Sequence, residues 1–140
     1  MSTNRTALFA LVCVAVVGCG DGGIPPPRTV PTTGTVLFKG KPTAGVTVKF
    51  LPQFDIGTPK WVPEAVTDKD GKFTLSTGAN GNGAPPGEYR VTFELLKPGT
   101  DSRGRDTDID VWKGKYANPD TAQKVTISGS GGPLEPFKLD

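Results

Sequence analysis

The glycines and prolines spread along this chain do most to limit what it can fold into. Among its 140 residues, 19 Gly and 14 Pro break helices and mark turns, so many short strands are expected in place of long helices. The segments between the breaks alternate with period two, the spacing of a strand with one buried face. Val36 and Phe38 share a face, and Val46, Val48 and Phe50 alternate with Thr47 and Lys49 until Pro52 stops the run. The turn Asp68-Lys69-Asp70-Gly71 joins 64–67 to 72–76 as a hairpin, with Phe73 and Leu75 inward. Tyr89, Val91 and Phe93 face one way, and Glu88, Arg90, Thr92 and Glu94 the other. Val125, Ile127, Phe137 and Leu139 supply the inward positions of the last two strands. Residues 96–119 show no clear period and read as a long excursion that returns to the sheet. The expected fold class is all-β: an antiparallel, Greek-key-type sandwich of about seven strands.

The first residues have a different character. Residues 1–6 are polar, with Arg5 and the α-amino group supplying positive charge. Residues 7–17 (ALFALVCVAVV) are apolar without interruption, and Gly18-Cys19 follows. A charged start, an apolar run of this length and a small residue before a cut describe a secretion signal. The run is about half of the ~20 residues a spanning helix needs. Residues 20–31 (GDGGIPPPRTVP) bury too little surface to fold and read as a spacer, stiffened toward polyproline geometry at Pro25, Pro26 and Pro27.

Val16-Val17-Gly18-Cys19 resembles a bacterial lipobox. That resemblance implies a diacylglyceryl group on the Cys19 thiol, cleavage before Cys19, and acylation of the new amino group, with palmitate a typical chain. Several acyl chains anchor stably where one does not. The expected organisation is a signal peptide over 1–18, lipidated Cys19 with a flexible linker over 19–32, and a β domain over 33–140. The expected place is the cell envelope, on the extracytoplasmic side of a membrane. Cys13 would leave with the signal, so the exported part would hold no free thiol and no disulfide.

Several functions are excluded or weakened by composition. The chain has no histidine, which removes Ser-His-Asp and Cys-His catalysis and His-based zinc sites. Its net charge of +2 carries no basic stripe, so no nucleic-acid partner is expected. Asp68 and Asp70 resemble the start of a calcium loop, but Lys72 and Ala79 stand at the fifth and twelfth positions where ligands are needed. A hairpin turn is the better reading. Asp101, Asp106, Asp108 and Asp110 gather beside Arg103 and Arg105; a divalent cation or an acid–base pair is one reading, a charge-balanced solvated loop the preferred one.

Trp61, Trp112, Tyr116 and Tyr89 offer a sugar-stacking platform in principle, although Tyr89 alternates as a core residue. Trp61 and Trp112 are therefore the candidate ligand-binding residues, against the plainer expectation that they cap the open ends of the sandwich. An isopeptide crosslink from Lys39 or Lys49, with Glu88 or Glu94 and Asn118, is disfavoured because both lysines face outward. Residues 78–83 are glycine-rich but lack the Gly-Lys-Ser/Thr ending and following helix of a phosphate loop.

A longer set of residues resembles a known family. It comprises Gly34-x-Val36, Gly40-Lys41-Pro42-x-x-Gly45-Val46-x-Val48-x-Phe50, Thr67-Asp68-x-Asp70-Gly71-x-Phe73-x-Leu75, and Pro86-Gly87-x-Tyr89-x-Val91. The series is similar to the carboxypeptidase regulatory-like, or transthyretin-like, β-sandwich domain. Together with the lipobox and Lys115-Tyr116-x-x-Pro119 it resembles short bacterial lipoproteins. The resemblance implies a prealbumin-like sandwich and carries no catalytic residues to this chain. The expectation is a non-enzymatic, lipid-anchored structural or interaction module, with no cofactor and no metal. Its partners would be the membrane, through Cys19, and an envelope protein or a glycan; a carbohydrate-binding module is the alternative.

Overall fold

In a computed structural model of the chain, residues 24, 27–78 and 82–140 are described. Ten strands follow in chain order: β1 (Thr32–Phe38), β2 (Lys41–Pro42), β3 (Val46–Pro52), β4 (Glu64–Val66), β5 (Lys72–Thr74), β6 (Gly87–Thr100), β7 (Asp106–Asp110), β8 (Gln123–Ile127), β9 (Gly132–Pro133) and β10 (Phe137–Leu139). They form two five-stranded sheets, with no helix among the described residues. This is the expected β-sandwich. The seven alternating segments are β1, β3, β4, β5, β6, β8 and β10, and β2, β7 and β9 are additions.

In one sheet β1 is central. It pairs antiparallel with β2 and β5, and parallel with β9 and β10. The other sheet runs β4-β3-β6, and β6 also carries β7 and β8. Every pairing is antiparallel except those of β1 with β9 and β10. The exception has a topological cause. After β8 the chain leaves the second sheet and returns beside its own first strand in the same direction, and strands that run the same way pair as a parallel ladder.

The alternation read from the sequence decides which side chains lie between the sheets. Val36, Val46, Val48, Phe50, Leu75 and Tyr89 are fully buried, and Phe73, Val91, Phe93, Ile127, Phe137 and Leu139 are nearly so. Phe50 stands at the middle. Its ring meets Tyr89 at 5.7 Å and Phe137 at 6.1 Å, both edge-on, and Phe73 at 6.3 Å, the arrangements aromatic rings prefer. Gly34 of β1 makes room for this cluster, because a Cβ there would stand 2.3 Å from the Cζ of Phe73. The polar atoms that go inside are matched. The buried Tyr89 hydroxyl donates to the Pro85 carbonyl at 2.7 Å, a tie of the kind seen at the corners of Greek-key sandwiches. Thr67 Oγ1 accepts from the Val46 N–H at 2.9 Å and donates to the Thr43 carbonyl at 2.7 Å.

Two segments differ from the sequence reading. The hairpin around Asp68–Gly71 closes at both ends, through Asp68 N–H to the Lys72 carbonyl at 2.8 Å and a reciprocal Glu64–Ser76 pair at 3.0 Å. Between them its strands splay, β4 pairing with β3 and β5 with β1, so the turn links the two sheets. The segment expected as an irregular excursion continues β6 to Thr100 and returns as β7, paired from Leu96↔Asp110 to Thr100↔Asp106. This ribbon projects past the sandwich. Among the described residues no opposing sheet covers it, so Leu96, Ile109 and Val111 remain 41%, 43% and 47% exposed and the inside–outside alternation fades from its sequence.

Phe50→Ala is expected to lower the unfolding free energy by about 3–5 kcal/mol, a large share of the roughly 5–15 kcal/mol typical of a domain. Val66→Ala, at a position 63% exposed, is expected to stay within about 0.5 kcal/mol. Denaturant titration of both variants against the parent chain measures the difference.

Candidate functional site

Cys19 and the rest of the lipobox-like sequence lie outside the described residues. Among the described residues downstream of them, Val30 joins the chain to the sandwich by backbone pairing. Its N–H donates to the Ala84 carbonyl at 2.9 Å, and the Ala84 N–H returns a bond at 3.1 Å. Val30 is buried and belongs to the core. Thr29 adds a bond from its hydroxyl to the Asn82 carbonyl at 2.7 Å. The spacer therefore arrives at the end of the sandwich where β1 begins.

Trp61 belongs to that same end. After Pro52 closes β3, residues 53–63 loop over the end of the sheet before β4 begins, and the Phe50 N–H donates to the Pro63 carbonyl at 2.8 Å to hold the loop's return. The loop and the end of β3 enclose an open cleft of about 790 Å³, walled by Phe54, Ile56, Lys60, Trp61 and Val62 among others. Phe54 forms its inner wall, edge-on to Tyr89 at 5.3 Å. Gly78 backs the Trp61 ring so closely that a Cβ there would stand 2.5 Å from Cζ3. Residue 78 also has φ +71°, a conformation glycine adopts without strain. The Cζ3 side of the indole is thus packed, and the side chain remains partly exposed.

Trp112 belongs to the opposite end. The β3–β6 register pairs Pro52 with Tyr89 at one end and Val46 with Leu95 at the other, roughly 20 Å apart at the usual rise of a strand. Trp61 lies beyond the first pair. Trp112 lies beyond the second, next to Val111, whose N–H donates to the Leu95 carbonyl at 2.8 Å. Its ring meets Phe38 at 5.3 Å and Tyr116 edge-on at 5.1 Å, and it packs against the core. Tyr116 and Lys115 both donate to the carbonyl of Asp140. The two tryptophans therefore share no binding surface. With Tyr89 fully buried, the four aromatic residues do not make one sugar-stacking platform.

The acidic residues are also separated. Asp101 sits in the β6–β7 turn, where it accepts from the N–H groups of Arg103 at 2.8 Å and Arg105 at 3.0 Å and pairs with the Arg105 guanidinium at 2.7 Å. The Arg105 backbone donor first, and its guanidinium next, hold the Asp101 carboxyl below the usual carboxylate range. Asp110 closes the other end of β7. For Asp110, burial alone raises the pKa, yet donations from Gly114 at 2.7 Å, Leu95 at 3.0 Å and Trp112 at 3.1 Å together outweigh it and hold the carboxyl low. Asp106 and Asp108 lie exposed on β7 between them. Among the described residues no group of three or more His, Cys, Asp or Glu side chains converges as a metal site would require.

The remaining sequence candidates resolve as structure. Asp68 Oδ1 accepts from the N–H groups of Asp70 and Lys72, each at 2.9 Å, as a turn does. Lys49 forms an ion pair with Glu94 at 3.0 Å across β3 and β6. Residues 79–81 of the glycine-rich loop lie outside the described residues, and Thr77 pins the described part by donating to the Gly83 carbonyl at 2.8 Å. Sequence reasoning identified Trp61 without its companions. Phe54, Ile56 and Lys60 sit in an irregular loop where no period signals which side chains converge.

No family model and no curated protein matches the chain. A solved structure, a 9R-lipoxygenase from Cyanothece PCC8801, aligns with 86% of this chain and 18% of its own length, at 15% identity and a TM-score of 0.45. Likeness of that degree bears on neither fold nor activity.

The Asp110 geometry has a consequence for acid stability. A carboxyl whose folded-state pKa is depressed adds stability above its unfolded pKa, near 4, and loses that contribution as pH falls through the lower folded value. Asp110→Asn is expected to cost about 1–3 kcal/mol at neutral pH and less in acid. Unfolding measured for both proteins from neutral pH into the acid range is expected to show the gap closing below about pH 4.

Proposed function

We propose that this protein is a non-catalytic module of the cell envelope, held on the extracytoplasmic side of a membrane by acyl groups on Cys19 and meeting an envelope partner through its β-sandwich. The observation that carries this reading is Val16-Val17-Gly18-Cys19 at the junction between an apolar leader and a Gly/Pro-rich spacer. A cysteine at that junction suits lipidation, and acyl chains there suit stable anchoring.

The resemblance of Gly34, the Gly40–Phe50 motif, the Thr67–Leu75 motif and Pro86-Gly87-x-Tyr89 to carboxypeptidase regulatory-like domains supports a binding role over chemistry. So does the chain's lack of histidine. The carboxylates of Asp101 and Asp110 are engaged by backbone donors, which suits turn-building rather than catalysis. The spacer reaches the sandwich at Val30, and the β6–β7 ribbon projects from the far end, so a partner approaching from beyond the membrane meets the ribbon first.

One observation favours a second reading, that of carbohydrate binding. Trp61 presents a partly exposed indole in an open cleft, a surface on which a sugar ring can stack. A glycan array distinguishes the two, since carbohydrate binding predicts a signal lost in Trp61→Ala and kept in Trp112→Phe.

Cys19→Ala is expected to move the protein from the membrane fraction to the soluble exported fraction and to abolish labelling by radioactive palmitate. A variant that stays membrane-bound and labelled overturns the anchor.

A further inference from the structure

We propose that the end of the sandwich carrying Trp61 docks on the bilayer itself, with Trp61, Ile56 and Val62 entering the headgroup region. The inference rests on the Cys19 anchor proposed above and goes beyond it, since an anchor alone leaves the domain free to tumble.

Position argues first. The chain from Cys19 to Val30 reaches about 35 Å fully extended and roughly 20 Å as a flexible coil. Val30 is fastened to Ala84, beside the 53–63 loop and the Gly78 turn that backs Trp61. The Trp61 end is therefore the end that the anchor holds next to the lipid.

Chemistry argues second. Ile56 and Trp61 are partly exposed on the cleft wall, and Val62 is 38% exposed. Tryptophan, apolar along its ring and polar at its N–H, belongs at the boundary between headgroups and acyl chains. Lys60 sits beside it on a stem long enough to keep its ammonium in the phosphate layer. Asp55, whose carboxylate accepts the Gly57 N–H at 2.9 Å, offsets one charge and exposed Arg28 adds another; on a zwitterionic phosphatidylcholine surface neither dominates, so the attraction is apolar and nearly independent of salt. A few side chains would hold a free protein only weakly. The tether converts their insertion into an intramolecular step, and a weak contact then suffices. The opposite end packs Trp112 against Phe38 and Tyr116; it exposes Leu96, Ile109 and Val111, but on the side of the domain away from Val30 and the anchor.

The full chain, expressed in a bacterium that acylates lipoproteins and reconstituted into phosphatidylcholine vesicles, supplies the test. Some vesicles carry lipid brominated high on the acyl chain, which quenches nearby indoles. Trp112→Phe leaves Trp61 as the sole indole, and Trp61→Phe leaves Trp112. Docking predicts that Trp61 shifts to shorter wavelength and loses emission to brominated lipid, at low and high salt alike, while Trp112 is unchanged. Should Trp112→Phe fail to fold, the intact chain must show the loss and Ile56→Asp must abolish it. Vesicle-bound protein whose Trp61 stays bright overturns docking and leaves the anchor standing. Protein that is unacylated by intact mass and does not float with vesicles overturns both. An indole that brominated lipid leaves bright but a glycan shifts returns the cleft to carbohydrate binding.

Discussion

The structure depends on one aromatic contact zone between two sheets. Phe50, on β3, touches Phe73 of the first sheet, Tyr89 of its neighbour β6, and Phe137 of the returning last strand. Those partners lie far apart in the chain, so burying one ring closes several long loops at once. Phe137 extends the zone by meeting Phe93 at 5.2 Å. Aromatic side chains of this size contribute much of the apolar area a small sandwich can remove from water. The parallel docking of β10 on β1 follows from the same zone, because Phe137 and Leu139 reach the core from that edge.

Outside the core, side-chain oxygens do much of the work that a helix or sheet ladder does elsewhere. Asp68, Asp101 and Asp110 each gather backbone donors at the end of a strand, and Thr67 joins β3 to the turn before it. A chain this rich in turns leaves many N–H groups without ladder partners. Short acidic and hydroxyl side chains satisfy them locally. The acidic residues that suggested metal chemistry in the sequence are, for Asp101 and Asp110, members of this set.

The two ends of the sandwich differ in kind. One receives the spacer at Val30 and holds a partly exposed tryptophan on a glycine turn. The other packs a partly exposed Trp112 against Phe38 and Tyr116 and extends into the β6–β7 ribbon, where Ile109 lies over Gly99 and Leu96, Ile109 and Val111 stand exposed among charged residues.

The sequence by itself determined the all-β class and the inward faces of β1, β3, β5, β6, β8 and β10. Burial on one face of a strand imposes period two directly on residue choice. The turn at Asp68–Gly71 was equally legible, since Asp-Gly carries its backbone geometry locally. Tertiary structure decided what no local pattern encodes: that the strands flanking this turn join different sheets, that β10 lies parallel to β1, and that β6 continues to Thr100. The ribbon escaped notice because both its faces meet solvent and the selective pressure behind alternation is absent there. The separation of Trp61 from Trp112 was invisible for a related reason: their distance is set by the β3–β6 register, a property of paired strands that neither loop carries in its own residues.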